Sequence, residues 1–186
     1  MVGFDAVVLA GGDARRLGGR DKAAIDIGGR SLLDRALSAV RGADRIIAVG
    51  PQRATPVPVA WTAEVPAGGG PLRATVAGLQ LASSEWVVVL AVDYPLVSTE
   101  VVERLLKAAG ERDGAVLADA GATPHYVVGA YRTERLRGAI AKLGAKDASM
   151  RSLFASLDVE VVTDDAAAQD IDTPEDLERV RAADRA

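Results

Sequence analysis

The chain has 186 residues, 49% of them apolar, 26% charged and 4% aromatic, with a formal net charge of −4. That balance suits one globular domain with a substantial core and argues against a general nucleic-acid binder, whose surface would be basic. Cysteine is absent and histidine occurs once, at His125, which excludes disulfide frameworks, thiolate chemistry and multi-histidine metal sites.

In chain order the apolar runs are AVVLA (6–10), RIIAVG (45–50), VPVAW (57–61), WVVVLAV (86–92), GAVLA (114–118), YVVGAY (126–131) and VEVVT (159–163). Several are apolar at every position, the pattern of strands covered on both faces. Between them, 31–43, 71–84, 98–112, 133–144, 150–157 and 173–183 carry helical spacing. Ser98 before Glu100, and Thr173 before Pro174, Glu175 and Asp176, supply N-cap hydroxyls and first-turn acids. Strand alternating with helix predicts a single α/β domain over 1–186 with a mainly parallel sheet. No run approaches the ~20 apolar residues of a membrane helix, and the N-terminus lacks a signal-peptide pattern, so a soluble cytoplasmic protein without membrane or nucleic-acid partners is expected.

In such sheets ligands bind beyond the carboxyl ends of the strands. The loops after 6–10, 57–61 and 86–92 are therefore the ones to read. The first holds GGDARRLGGRDK, residues 11–22. Gly11 and Gly12 allow close backbone approach to a ligand, and Arg15, Arg16, Arg20 and Lys22 bring positive charge to the same volume. Glycines with cations after a first strand supply what a triphosphate needs. The spacing is neither a P-loop nor a dinucleotide fingerprint, and a glycine-rich surface turn with solvated arginines is the plain alternative.

The second informative position is Asp93, directly after the 86–92 run and before Tyr94 and Pro95. A carboxylate at the mouth of a central strand suits Mg²⁺, which bridges one or two carboxylates to substrate phosphates. Capping a turn is the alternative for an Asp in this context.

LAGGDARRLGGRDK resembles the LAGGxxxRMGGxDK signature of molybdenum cofactor guanylyltransferases, within the GT-A-like nucleotidyltransferases. The resemblance spans nearly the whole chain: GPLRATVAGL (70–79) is similar to the family's GPLAG segment, AVDYPLVS (91–98) to its CDxPF segment, and DIDTPEDL (170–177) to its NxNTPEEL ending. It implies a Rossmann-like, three-layer α/β sandwich. It also implies nucleotide contacts from Leu9, Ala10, Gly11, Gly12, Lys22, Glu64 and Asp93, a metal at Asp93, and catalytic roles for Arg16, Lys22 and Asp93. Val92 stands where the family usually has Cys, Val49 near where it has an Asn at the nucleotide, and Asp170 and Asp172 where it has asparagines. His125, Asp170 and Asp172 are the candidates for the acceptor side.

The function implied is Mg²⁺-dependent transfer of GMP from GTP to the terminal phosphate of molybdenum-molybdopterin, with pyrophosphate leaving and transient contact with other molybdenum-cofactor proteins. The alternatives are a cytidylyl or other nucleotidyl transferase with a different phosphorylated acceptor, and a silent GTP-binding paralogue.

Overall fold

The Val-rich run 86–92 becomes the strand on which the rest is ordered. A computed structural model describes residues 2–14, 19–66, 68–143 and 149–184. Its strands are β1 (Phe4–Leu9), β2 (Asp13–Ala14), β3 (Arg20–Asp21), β4 (Asp26–Ile27), β5 (Arg30–Ser31), β6 (Arg45–Val49), β7 (Ala60–Thr62), β8 (Trp86–Ala91), β9 (Gly114–Ala118), β10 (Pro124–Arg132) and β11 (Val159–Thr163). The helices are α1 (Leu32–Ala39), α2 (Gly70–Leu79), α3 (Thr99–Ala109), α4 (Thr133–Lys142), α5 (Met150–Phe154) and α6 (Pro174–Ala183).

Seven strands form one sheet in the order β11-β9-β10-β8-β1-β6-β7. β1 is parallel to both β6 and β8, β6 to β7, and β11 to β9, while β10 runs antiparallel to its neighbours β8 and β9. All six residues of β1 and of β8 are buried, so both sheet faces are covered, as uninterrupted apolar strands require. α1 packs beside α3 and α2 beside α4, and a single apolar cluster runs from Phe4 to Val180. The fold is α/β with a mostly parallel sheet, as the alternation predicts.

Three local differences have physical reasons. The strand expected at 57–61 starts only at Ala60; Pro58, lacking an N–H, keeps the preceding residues out of the ladder. Two small hairpins, β2–β3 and β4–β5, carry too few residues for any periodicity to reveal. The strand expected at 126–131 extends over Pro124–Arg132, with a register shift against β9 between His125 and Gly129. Among the described residues, no helix is long and apolar enough to cross a membrane.

Candidate active site

The carboxyl ends of β1 and β8 lie side by side, Leu9 opposite Ala91, and Val92 N donates to Leu9 O at 3.2 Å. The glycine loop and Asp93 therefore leave the sheet at adjacent points. Gly12 takes φ +124°, a turn that a side chain would disfavour. The loop is braced from the β6 side. Ala10 N donates to Val49 O at 2.9 Å, and Gly50, at φ +146°, sits so close that a Cβ there would fall 2.8 Å from Gly11 N and 2.9 Å from the Ala10 carbonyl carbon.

The chain returns through β3 into a 3-10 turn, Lys22–Ala24, capped by Asp21, whose Oδ1 accepts from Ala23 N at 3.2 Å. Lys22 is the first residue of that turn and points into the mouth of the sheet. Its Nζ lies 3.1 Å from Asp93 Oδ2 and 2.6 Å from Asp172 Oδ1. Burial pulls the Lys22 ammonium toward deprotonation, but the Asp93 charge and the hydrogen bonds to Asp172 and Asp93 outweigh it and leave its pKa raised.

Asp172 arrives from the other end of the chain. Ile171 N donates to Asp93 O at 3.0 Å, and the next residues enter α6 through a capping box between Thr173 and Asp176. Asp176 is held well below the usual carboxylate range, first by the Thr173 hydroxyl and then, against burial, by Arg179 and backbone amides. That cap fixes where Asp170 and Asp172 emerge. Burial, then the charges of Asp172 and Asp93, push the Asp170 carboxyl upward. Among the described residues, Asp93 keeps one oxygen, Oδ1, buried and without a hydrogen-bond partner.

Beside Asp93, the Tyr94 hydroxyl lies 3.0 Å from His125 Nδ1, with the rings edge to face at 5.5 Å. Burial foremost, then Asp93, Asp170 and Asp172, push the phenol far above its ordinary value. Tyr94 therefore stays protonated and shares a hydrogen bond with Nδ1, while Nε2 lies 3.9 Å from Asp119 Oδ2.

The structure thus brings Lys22, Asp93, Asp170, Asp172 and His125 to one mouth, next to Leu9, Ala10, Gly11 and Gly12. Glu64 stands apart after β7, on the far side of β6, with Oε1 accepting from Gly68 N at 2.9 Å. Arg15 and Arg16 lie outside the described residues. Sequence reasoning missed Arg53, whose guanidinium reaches the Asp21 carboxylate with two hydrogen bonds, 2.8 Å from Nε and 2.6 Å from NH2. An arginine four residues past a strand carries no periodic signal, and only the folded loop brings it to Asp21.

Comparison with known proteins shows the family to which the chain is similar. Residues 6–162 match the family model described as MobA-like NTP transferase domain. A probable molybdenum cofactor guanylyltransferase of Mycobacterium marinum is 31% identical over 189 residues, covering 95% of this chain and 92% of the relative. The molybdenum cofactor guanylyltransferase of Pseudomonas putida is 36% identical over 123 residues, which span 62% of this chain and only 63% of the relative's length. Among solved structures, the 2-C-methyl-D-erythritol 4-phosphate cytidylyltransferase of Thermus thermophilus superposes with a TM-score of 0.73 at 26% identity, covering 97% of this chain and 98% of that one.

Proposed function

The chain belongs to the MobA-like NTP transferase family, and from that premise we propose that it transfers GMP from GTP to the terminal phosphate of molybdenum-molybdopterin, releasing pyrophosphate. The relatives bearing the guanylyltransferase name support the substrates. The observation that carries the chemistry is Lys22, held at the mouth of β1 and β8 against Asp93.

A phosphate nucleophile is already ionised, so the protein needs no general base, and positioning with charge neutralisation carries the rate. The backbone from Leu9 to Gly12 forms the floor against which the triphosphate lies. Lys22 offsets charge on the departing pyrophosphate, and Arg16 is assigned the same task. Glu64, apart from that mouth and beyond β6, is assigned to the nucleotide. His125, oriented by Tyr94, faces the acceptor with Asp170 and Asp172.

The unpartnered Asp93 Oδ1 is a hard oxygen donor suited to Mg²⁺. Among the described residues no group of three or more acidic, histidine or cysteine side chains forms a metal cage, so substrate oxygens and water would complete the coordination around Asp93. When bound, Mg²⁺ would neutralise phosphate charge and orient the reacting groups. The test is pyrophosphate release from GTP with molybdenum-molybdopterin. The reading requires release that depends on both substrates and disappears in Asp93→Ala at unchanged thermal stability; release in Asp93→Ala equal to the native chain would remove the assigned role.

A further inference from the structure

We infer that Arg53 is the positioning residue of this site: its fork on Asp21 fixes the turn that aims Lys22 at the triphosphate. The inference rests on the reading of Lys22 as a phosphate-binding residue. Arg53 projects from the loop that follows β6. Its Nε and NH2 grip the two oxygens of Asp21 at 2.8 and 2.6 Å, while NH1 donates to Pro51 O at 2.6 Å and makes a longer contact of 3.5 Å with Ala10 O. Every nitrogen of the guanidinium is thus engaged within the protein. Such a group is a brace, not a phosphate ligand, even though its place near the glycine loop would suggest the latter.

The far end of the brace is chemically significant. Asp21 Oδ1 also accepts from Ala23 N, capping the turn whose first residue is Lys22. One carboxylate therefore couples Arg53 to the orientation of Lys22. The Arg53 side chain is 19% exposed and the Asp21 side chain 44%, so the fork is open to water from the Asp21 side and its strength rests on its two-point geometry. The same arginine joins the outgoing limb of the glycine loop, at Ala10, to its returning limb, at Asp21. Together with the close approach of Gly50 to Gly11, this makes the loop after β6 a wall that holds the cradle in shape. Consecutive residues, Asp21 and Lys22, are consequently pinned from opposite sides, one by Arg53 and the other by Asp93 and Asp172.

The test is a double-mutant cycle with two readouts. Arg53→Ala, Asp21→Asn and the double variant are titrated calorimetrically with Mg-free GTP, and amide hydrogen exchange is followed at Ala23 and its neighbours. Each single variant is expected to weaken GTP binding about tenfold, because misplacing a binding group by an ångström has effects of this order or more. The double variant should be no weaker than the singles, and exchange at Ala23 should quicken in Arg53→Ala. Arg53→Lys, which keeps the charge without the fork, should recover only part of the affinity. Additive losses, or unchanged exchange at Ala23, would overturn the assignment; so would a drop in thermal stability with affinity intact. If the native chain binds no triphosphate, the transfer reading fails, whereas the exchange readout still decides whether Arg53 holds this turn.

Discussion

Lys22 Nζ stands 3.1 Å from Asp93 and 2.6 Å from Asp172, so a single ammonium ties the loop after the first strand to the mouth of β8 and to a segment 150 residues further along the chain. Lys22 and Asp93 are only 13% and 24% exposed, while Asp172 is about half exposed at 51%. Removing the cation leaves Asp93, Asp170 and Asp172 facing one another. Lys22→Met is expected to cost about 1–3 kcal/mol, below the cost of breaking a fully buried pair because Asp172 is partly solvated. Denaturant unfolding at neutral pH measures it.

The same pair has a pH signature. The Lys22 pKa is raised in the folded chain, so its contribution is complete below the ordinary value of 10.5 and is lost as pH rises through the higher folded value. The stability gap between the native chain and Lys22→Met should therefore close above pH 10.5. A gap constant from neutral to strongly alkaline pH would show that the ion pair contributes little.

Asp170 behaves in the opposite sense at neutral pH. Its carboxyl is raised by burial and by Asp172 and Asp93, so the fold favours the protonated form and ionisation weakens it. That loss is absent below the ordinary value of 3.8, grows as pH rises from there toward the higher folded value, and is complete above it. Asp170→Asn should match the native chain in acid and exceed it in stability at pH 7, as read from melting temperatures across that range. A melting temperature at pH 7 no higher than native would contradict this.

Gly50 tests the wall of the cradle. Gly50→Ala places a methyl 2.8 Å from Gly11 N at a φ of +146°, so backbone must move. The expected loss is more than about 1 kcal/mol, accompanied by weaker triphosphate binding, measured by unfolding and by titration of the same sample.

Tyr94→Phe removes the hydroxyl that hydrogen-bonds His125 Nδ1. A cost of about 1 kcal/mol in stability is expected, with a larger KM for the acceptor than for the nucleotide. An equal rise in both constants would place His125 away from the acceptor side.

Much of this was legible beforehand because it depends on local pattern. Uninterrupted runs such as 86–92 state that both sheet faces are covered, and a glycine pair at a strand end marks a loop that must bend. Asp93 was visible because it follows such a run directly. Asp172 was visible as an acid before a capped helix, but its partner was not, since nothing local links it to Lys22. The pairing of Arg53 with Asp21 was hidden for the same reason. Asp5 is a further case: within an apolar strand it is almost fully buried and accepts from the amides of Ser83 and Ser84. Burial opposes its ionisation, and those hydrogen bonds prevail and lower its pKa. Its role is to anchor the entry to β8, which only the paired strands define.

The most direct measurement is calorimetric titration of Mg-GTP, Mg-CTP and Mg-ATP into the native chain and into Asp93→Ala. The account predicts tightest binding for GTP and its loss in the variant. Preference for CTP would contradict the guanylyl assignment, and GTP affinity unchanged in Asp93→Ala would contradict the site itself.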